Sequence, residues 1–298
     1  MDHDAELAAF DRRIRRDARP DGPGVRVERV GQVVRQSGAA HDWHGVLWSE
    51  LTEDTAAGAI AAQIAHFTSL GREFEWKLYA HDRPVGLADR LRAAGFTPGA
   101  SEALMVRETG DAPDEPALPD GVRLLTVTDA AGAELLADVH ERAFGTDGTW
   151  LRERLSAQLA SAPETVVAVV AMAGDTPVSA ARMELPPGAD FAGLWGGGTV
   201  RDWRGRGLYR ALVAHRARIA AERGYRLLHV DATDLSRPIL ERLGFRVLSS
   251  TTPFLYRPRV PGSAEPAEST GAAASTGAAE PAASTGAAGS TGSPGSLG

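Results

Sequence analysis

The chain contains no cysteine. That excludes disulfides, thiolate metal sites and a cysteine nucleophile. It also lacks an excess of basic charge: 32 Lys and Arg stand against 39 Asp and Glu, a net charge of −7. A nucleic-acid partner is therefore not indicated. No long apolar run is present, and the longest, around Val166–Ala173, is far too short to span a bilayer. The first residues include Asp2, Asp4 and Glu6, where a signal peptide would carry basic and then apolar residues. These absences lead to the expectation of a cytoplasmic protein with no metal, no nucleic-acid partner and no membrane partner. What is present is an ordinary soluble balance, 43% hydrophobic over 298 residues, enough for two modest domains.

Composition divides the chain. Thr109–Asp120 is dense in proline and acid and reads as a semi-rigid linker. From Pro261 to Gly298, Ser-Thr-Gly-Ala-Ala units recur with almost no large apolar residue, and such a tail cannot offset its own ordering entropy. The expected organisation is a first domain with its linker over 1–118, a second over 119–260, and a disordered tail over 261–298.

In the first region, Leu7, Phe10 and Ile14 predict a short helix whose charged face holds Arg12, Arg13, Arg15 and Arg16. That face reads as solvated or as a grip for an anion. Strands are predicted over 25–30, 32–35, 43–48, 74–79 and 104–106, with helices over 55–70 and 87–94. In the second region, strands are predicted over 122–127, 166–173, 178–185, 191–199, 227–230 and 254–256. Helices there cover 130–144, 150–159, the segment after Gly207, and 238–243.

The densest signal is Val200-Arg201-Asp202-Trp203-Arg204-Gly205-Arg206-Gly207-Leu208-Tyr209. It joins the strand at 191–199, which contains Gly196, Gly197 and Gly198, to a helix. Glycine inside a strand marks a bulge or a close approach. Helix N-termini favour acids in the first turn, yet here Arg201, Arg204, Arg206 and Arg210 face a single acid, Asp202. Free N–H groups, a helix dipole, two glycines and several guanidiniums together suit a phosphate-bearing anion. The alternative is a solvated basic turn whose glycines serve packing. Neither the Walker pattern nor the dinucleotide fingerprint fits, because Leu208-Tyr209 and Arg210 hold the places those patterns require.

Arg204-Gly205-Arg206-Gly207-Leu208 resembles the Arg-Gly-x-Gly-x-Gly/Ala loop of the GNAT superfamily of CoA-dependent N-acetyltransferases, with Tyr209 at the usual last Gly or Ala. Leu243-Gly244-Phe245 is similar to that family's second recognisable motif. The resemblance implies a GNAT-like α/β fold: a mixed, mostly antiparallel sheet flanked by helices. It also implies acetyl-CoA as co-substrate and an amine, here of a small molecule, as acceptor. The residues it assigns to the cofactor are Thr199, Val200, Arg201, Arg204, Gly205, Arg206, Gly207, Leu208, Tyr209 and Ser236.

The two regions echo each other. Leu87–Phe96 resembles Arg237–Phe245, and Gly45-Val46-Leu47-Trp48 resembles Gly193-Leu194-Trp195, at nearly equal offsets. After Trp48, however, Glu50, Glu53 and Asp54 replace the glycines and arginines. They suit a bare helix N-terminus with Thr52 as cap, and they repel a pyrophosphate. The first copy reads as a degenerate structural half, and the tandem arrangement resembles that of mycothiol synthase-like acetyltransferases.

Two family features are missing. Leu240 stands where many members carry a general-acid tyrosine, so that role is vacant or passes to Ser236, Tyr209 or Tyr256. The strand at 191–199 has no acid. The candidate general bases are therefore Asp231, at the end of the strand at 227–230, and Glu184. Each also reads as an ordinary cap or strand acid. His229 reads as a satisfied core histidine, and Trp195 as packing with a contact to the acceptor open to it. Three functions remain: acetyl transfer to an amine, transfer from another acyl-CoA or to an O-acceptor, and non-catalytic CoA sensing or scaffolding.

Overall fold

In the computed structural model, which describes residues 2–20, 22, 24–110 and 117–258, both copies give strands to a single twelve-stranded sheet. The tail at 261–298, and residues 111–116 of the linker, lie outside the described residues. The first copy begins with α1 (His3–Phe10) and a π-helical turn, Asp11–Arg16. It continues through β1 (Arg26–Val30), β2 (Val33–Ser37), β3 (Gly45–Ser49), α2 (Glu53–Ser69) and β4 (Phe74–Tyr79). Then come α3 (Leu87–Ala93), β5 (Thr97–Pro98) and β6 (Glu102–Glu108). The second copy runs β7 (Val122–Val127), α4 (Ala130–Phe144), α5 (Thr149–Ser161), β8 (Val166–Ala173), β9 (Thr176–Glu184) and β10 (Phe191–Thr199). It closes with α6 (Leu208–Glu222), β11 (Leu227–Ala232), α7 (Arg237–Arg242) and β12 (Arg246–Tyr256).

The strand order is β1-β2-β3-β4-β12-β6-β11-β10-β9-β8-β7, with β5 beside β12. Pairing is antiparallel except for β3 with β4 and β10 with β11. The same strand-helix-strand-helix-strand order recurs as β3-α2-β4-α3-β6 and β10-α6-β11-α7-β12. The copies have exchanged their last strands. β6 lies against β11 of the second copy, and β12 lies against β4 of the first. The sheet is therefore continuous across the repeat.

Local chemistry explains the elements that frame the site. Thr52 caps α2 in a capping box with Thr55, and Glu53 and Asp54 fill the first turn. α6 packs Tyr209, Leu212, Val213 and Ala217 against Met183, Leu194, Leu228 and Val230 on one face of the sheet. α4 and α5 cover the other face of β7–β9 through Leu136, Val139, Leu151 and Leu155.

Three expectations change. The first helix is an α-helix only to Phe10, after which the chain widens into a π turn. Arg15 is not on a solvated face. Its guanidinium is buried, donates to both Asp82 carboxylate oxygens (2.7 and 2.8 Å), to Asp11 (2.6 Å) and to the Leu47 carbonyl (3.0 Å), and lies 4.0 Å from the Tyr79 ring centroid. The closing strand is Arg246–Tyr256 rather than 254–256, because its polar stretch is held by β6 over Ser249–Thr251 and by β4 from Thr251 onward.

Candidate active site

β10 and β11 pair in parallel over Phe191–Gly193 and Leu227–His229 only, and the ladder ends there. Beyond that point β10 bulges: Trp195 faces Arg182 and Gly198 faces Ala180, so Gly196 and Gly197 oppose Ala181 alone. The two strands thus form a wedge, with the glycine loop at its wide end. The loop is a 3-10 turn, Arg201–Trp203, leading into α6. Gly205 and Gly207 hold φ values of +74° and +85°, which L side chains rarely adopt, and Gly207 is the N-cap of α6. Its first-turn amides have no side-chain cap, the arrangement that suits an anion at a helix N-terminus.

The four loop arginines divide their work. Arg204 donates to the carbonyls of Thr199 (3.0 Å) and Ala143 (3.1 Å), fixing the loop to β10 and α4. Arg206 lies over the Trp203 ring at 4.5 Å, and Arg201, Arg206 and Arg210 are exposed. Thr199 is buried, with its hydroxyl 2.9 Å from that of Ser179, and Val200 and Leu208 are buried beside α4 and α5. The Tyr209 ring is in the α6 core. Ser236 is buried past the C-terminal end of β11, its hydroxyl donating to the Thr233 carbonyl (3.3 Å). Tyr256 packs on Phe74 and Phe96 in the first copy, and Leu240 lies in the α6 core.

Register assembles the rest. Glu184 pairs with Gly193, Gly193 with His229, and Arg182 with Trp195. Cross-strand partners share a face, and alternation adds Asp231 to it. Glu184, Arg182, Trp195, His229 and Asp231 therefore share the face opposite α6. Gly193 makes room for two of these rings, since a Cβ there would fall 2.7 Å from Trp195 Nε1 and 2.8 Å from His229 Nε2. Above the face is a cavity of about 420 Å³, whose walls include Trp150, Arg154, Trp195 and His229 from the second copy and Trp43 and Lys77 from the first.

Lys77 is the residue that the sequence did not single out. Its ammonium is buried, bonds Asp231 Oδ2, and lies 5.3 Å from the Trp195 ring centroid. It stands to Gly45 as Asp231 stands to Gly193, two residues past the parallel partner of that glycine. Burial opposes its charge, but Asp231, Tyr79, Glu75 and Glu102 raise its pKa above the ordinary value, so it stays protonated. Burial raises the Glu75 pKa, and Trp43 Nε1 donates to Glu75 Oε2 (3.1 Å).

His229 is not a satisfied core histidine. Its Nδ1 has no hydrogen-bond partner among the described residues, and burial, with Lys77 nearby, pulls its pKa down to about 4 despite Asp231. It is a neutral ring on the cavity wall, edge-on to Trp195 (6.1 Å) and Phe10 (5.3 Å). Asp231 Oδ1, Glu75 Oε1 and Trp195 Nε1 also lack partners among the described residues. Glu184 is 3.4 Å from Arg154 and 3.9 Å from Arg182.

Comparison with known proteins places this geometry. Residues 133–245 match the model of the Acetyltransferase (GNAT) family. No curated protein matches the sequence. Among solved structures, the chain is similar to a GCN5-related N-acetyltransferase from Kribbella flavida, with 22% identity, 88% of this chain and 95% of that one covered, and a TM-score of 0.61. A GCN5-related N-acetyltransferase from Sphaerobacter thermophilus shows 19% identity, coverage of 78% and 83%, and a TM-score of 0.55. A tandem GNAT protein from the clavulanic acid biosynthesis pathway shows 14% identity, coverage of 82% and 86%, and a TM-score of 0.56. Residues 133–245 thus match the GNAT family model, and the chain has the fold of these N-acetyltransferase structures, the tandem GNAT protein among them. No helix among the described residues is long and apolar enough to cross a membrane.

Proposed function

We propose that the chain is an acetyl-CoA-dependent N-acetyltransferase that moves an acetyl group directly onto the amine of a small molecule. The observation that carries this reading is the wedge between β10 and β11 opening onto an uncapped helix N-terminus. The first-turn amides of α6, from Gly207 through Tyr209, suit the pyrophosphate. Exposed Arg201, Arg206 and Arg210 add charge, while Arg204 acts by holding Thr199 and Val200 in place. Acetyl-CoA supplies an activated acyl carbon bonded to sulfur. The bulged backbone at Gly196–Gly198 offers N–H groups toward the carbonyl oxygen, where negative charge develops.

The amine must be neutral when it attacks. Glu184, on the cavity wall, accepts its proton directly or through a water, a role worth roughly 10²–10⁴-fold. Asp231 has one oxygen on Lys77 and acts as that ammonium's counter-ion, which leaves Glu184 the better-placed base. As the C–N bond forms, the C–S bond breaks and its electron pair goes to sulfur; the thiolate leaves as the thiol once protonated, from the base side through water or by way of the Ser236 hydroxyl, which takes up a proton from solvent in turn. No cysteine exists to carry an acyl group. The cavity beside Glu184 and Trp195, apart from the glycine loop, favours an enzyme over a CoA sensor, which needs no acceptor site. Thiol release measured with a panel of amines tests the reading. Glu184→Gln should lower kcat at least tenfold and flatten its rise with pH, with CoA affinity unchanged. Full activity in that variant removes Glu184 from the mechanism, and no release with any amine favours the sensor.

A further inference from the structure

The acceptor cavity is walled by indoles from three separate elements. Trp43 lies just before β3 in the first copy, Trp150 on α5 and Trp195 on β10. Each has a fixed neighbour. Trp43 Nε1 donates to buried Glu75 (3.1 Å), Trp150 stands edge-on to His140 (5.9 Å), and Trp195 stands edge-on to His229 (6.1 Å). Ile14, Leu47 and Pro186 add apolar surface. Two of the rings already carry a cation: Lys77 lies over Trp195 at 5.3 Å and Arg182 over Trp150 at 5.6 Å. A second cation against those rings meets a like charge, whereas a neutral aromatic ring meets none.

Charge on the wall points the same way. Among the described residues the lining has five cationic side chains, Arg13, Arg19, Lys77, Arg154 and Arg182, against three acids. Of the acids, Asp42 accepts from the Ala39 amide (2.7 Å), Glu73 accepts from Arg257 (3.1 Å), and Glu184, beside Arg154, is the base assigned above. Such a wall accommodates one amine and disfavours a polyamine. Glu184 pairs with Gly193, so Trp195 is its diagonal neighbour on the same face, a separation of roughly 7–8 Å. An aromatic ring on Trp195 with a short amine-bearing arm bridges that gap.

We propose that the acceptor is a monoamine built on an aromatic ring, an arylalkylamine whose ring seats among Trp43, Trp150 and Trp195 and whose amine reaches Glu184. This rests on the acetyltransferase reading for the role of Glu184. The first copy then shares in specificity through Trp43. Each offset-stacked or edge-to-face ring pair adds about twofold to tenfold in affinity beyond the area it buries.

The test is calorimetric titration of the full chain, with and without saturating CoA, using amines matched in carbon skeleton. Phenethylamine is set against 2-cyclohexylethylamine, and benzylamine against cyclohexylmethylamine, with spermidine as the polycation. The aromatic member of at least one pair should bind about fivefold or more tightly than its saturated partner, and more tightly than spermidine. Trp195→Leu should cut that preference about twofold or more, and Trp195→Phe should retain it, both with the wild-type circular dichroism. The wild-type pairs decide alone if either variant loses the native spectrum. Equal or tighter binding of the saturated amine in both pairs overturns the proposal. So does tighter binding of spermidine, no binding of either aromatic amine, or a preference unchanged in folded Trp195→Leu. Failure of CoA to bind would overturn the acetyltransferase reading instead, and the titrations without CoA do not depend on it.

Discussion

Replacing Lys77 by Met should destabilise the protein severely, although Lys77 sits in the copy without a glycine loop. Its side chain is 11% exposed and that of Asp231 2%. β4 and β11 are separated by β12 and β6, and three interstrand spacings amount to roughly 14 Å in a flat sheet. The two side chains reach across the intervening strands to meet, which ties the first copy to the second. Removing one partner of a buried ion pair leaves an uncompensated charge and costs about 3–5 kcal/mol. In a chain of this size that is a drop in Tm on the order of 10 °C. The Lys77 pKa is raised on folding, so its contribution is complete at every pH below its ordinary unfolded value and is lost only as alkali passes the folded one. Urea denaturation at pH 7 followed by circular dichroism therefore reads the full effect. The double variant Lys77→Met/Asp231→Asn should recover most of the loss, since no lone charge remains. A loss under about 1 kcal/mol in the single variant, or a double variant no more stable than the single, would refute the reasoning.

Two further outcomes follow from the same geometry. His229 is neutral when folded, with a pKa near 4 against an ordinary 6.5. Its contribution to stability is full above pH 6.5 and lost as pH falls toward 4, up to roughly 3 kcal/mol. His229→Asn should make unfolding free energy less steep with pH over that window, and an unchanged slope would contradict the assignment. Separately, a fragment of residues 119–258 lacks β6, which pairs with both β11 and β12. It should not fold as a monomer, whereas co-expression with residues 1–118 should restore a cooperative transition. A cooperative, monomeric fragment would contradict the exchange.

The glycine loop and the repeat could be read in the sequence because both are local. The arginines and glycines are contiguous, and the copies share Gly-Phe and Gly-Trp landmarks. The strand exchange could not be read, since Glu102–Glu108 and Arg246–Tyr256 carry similar patterns and nothing local says which copy each will join. Lys77 is silent in the sequence for a related reason. In Phe74–Tyr79, alternation marks Phe74 and Trp76 as core and leaves Glu75 and Lys77 looking solvated, whereas the other copy buries that face as well. Arg15 is the same case on a helix. His229 and Asp231 were assigned to one face from alternation, but the lack of a partner for His229 depends on tertiary neighbours. The family's acid and base positions are blank here, and the candidates that replace them, Glu184 and Ser236, are brought toward the site by register and by the chain turn after β11.

The most direct test of the account is titration of the full chain with acetyl-CoA in a calorimeter, alongside Gly207→Glu. The account predicts one site per chain, because Gly205 and Gly207 frame the helix N-terminus of α6 while Glu53 and Asp54 occupy that of α2. Gly207→Glu should abolish the heat of binding, through strain at φ +85° and through repulsion of the pyrophosphate, while far-UV circular dichroism stays unchanged. Two sites per chain, or unchanged affinity in the folded Gly207→Glu variant, would contradict it.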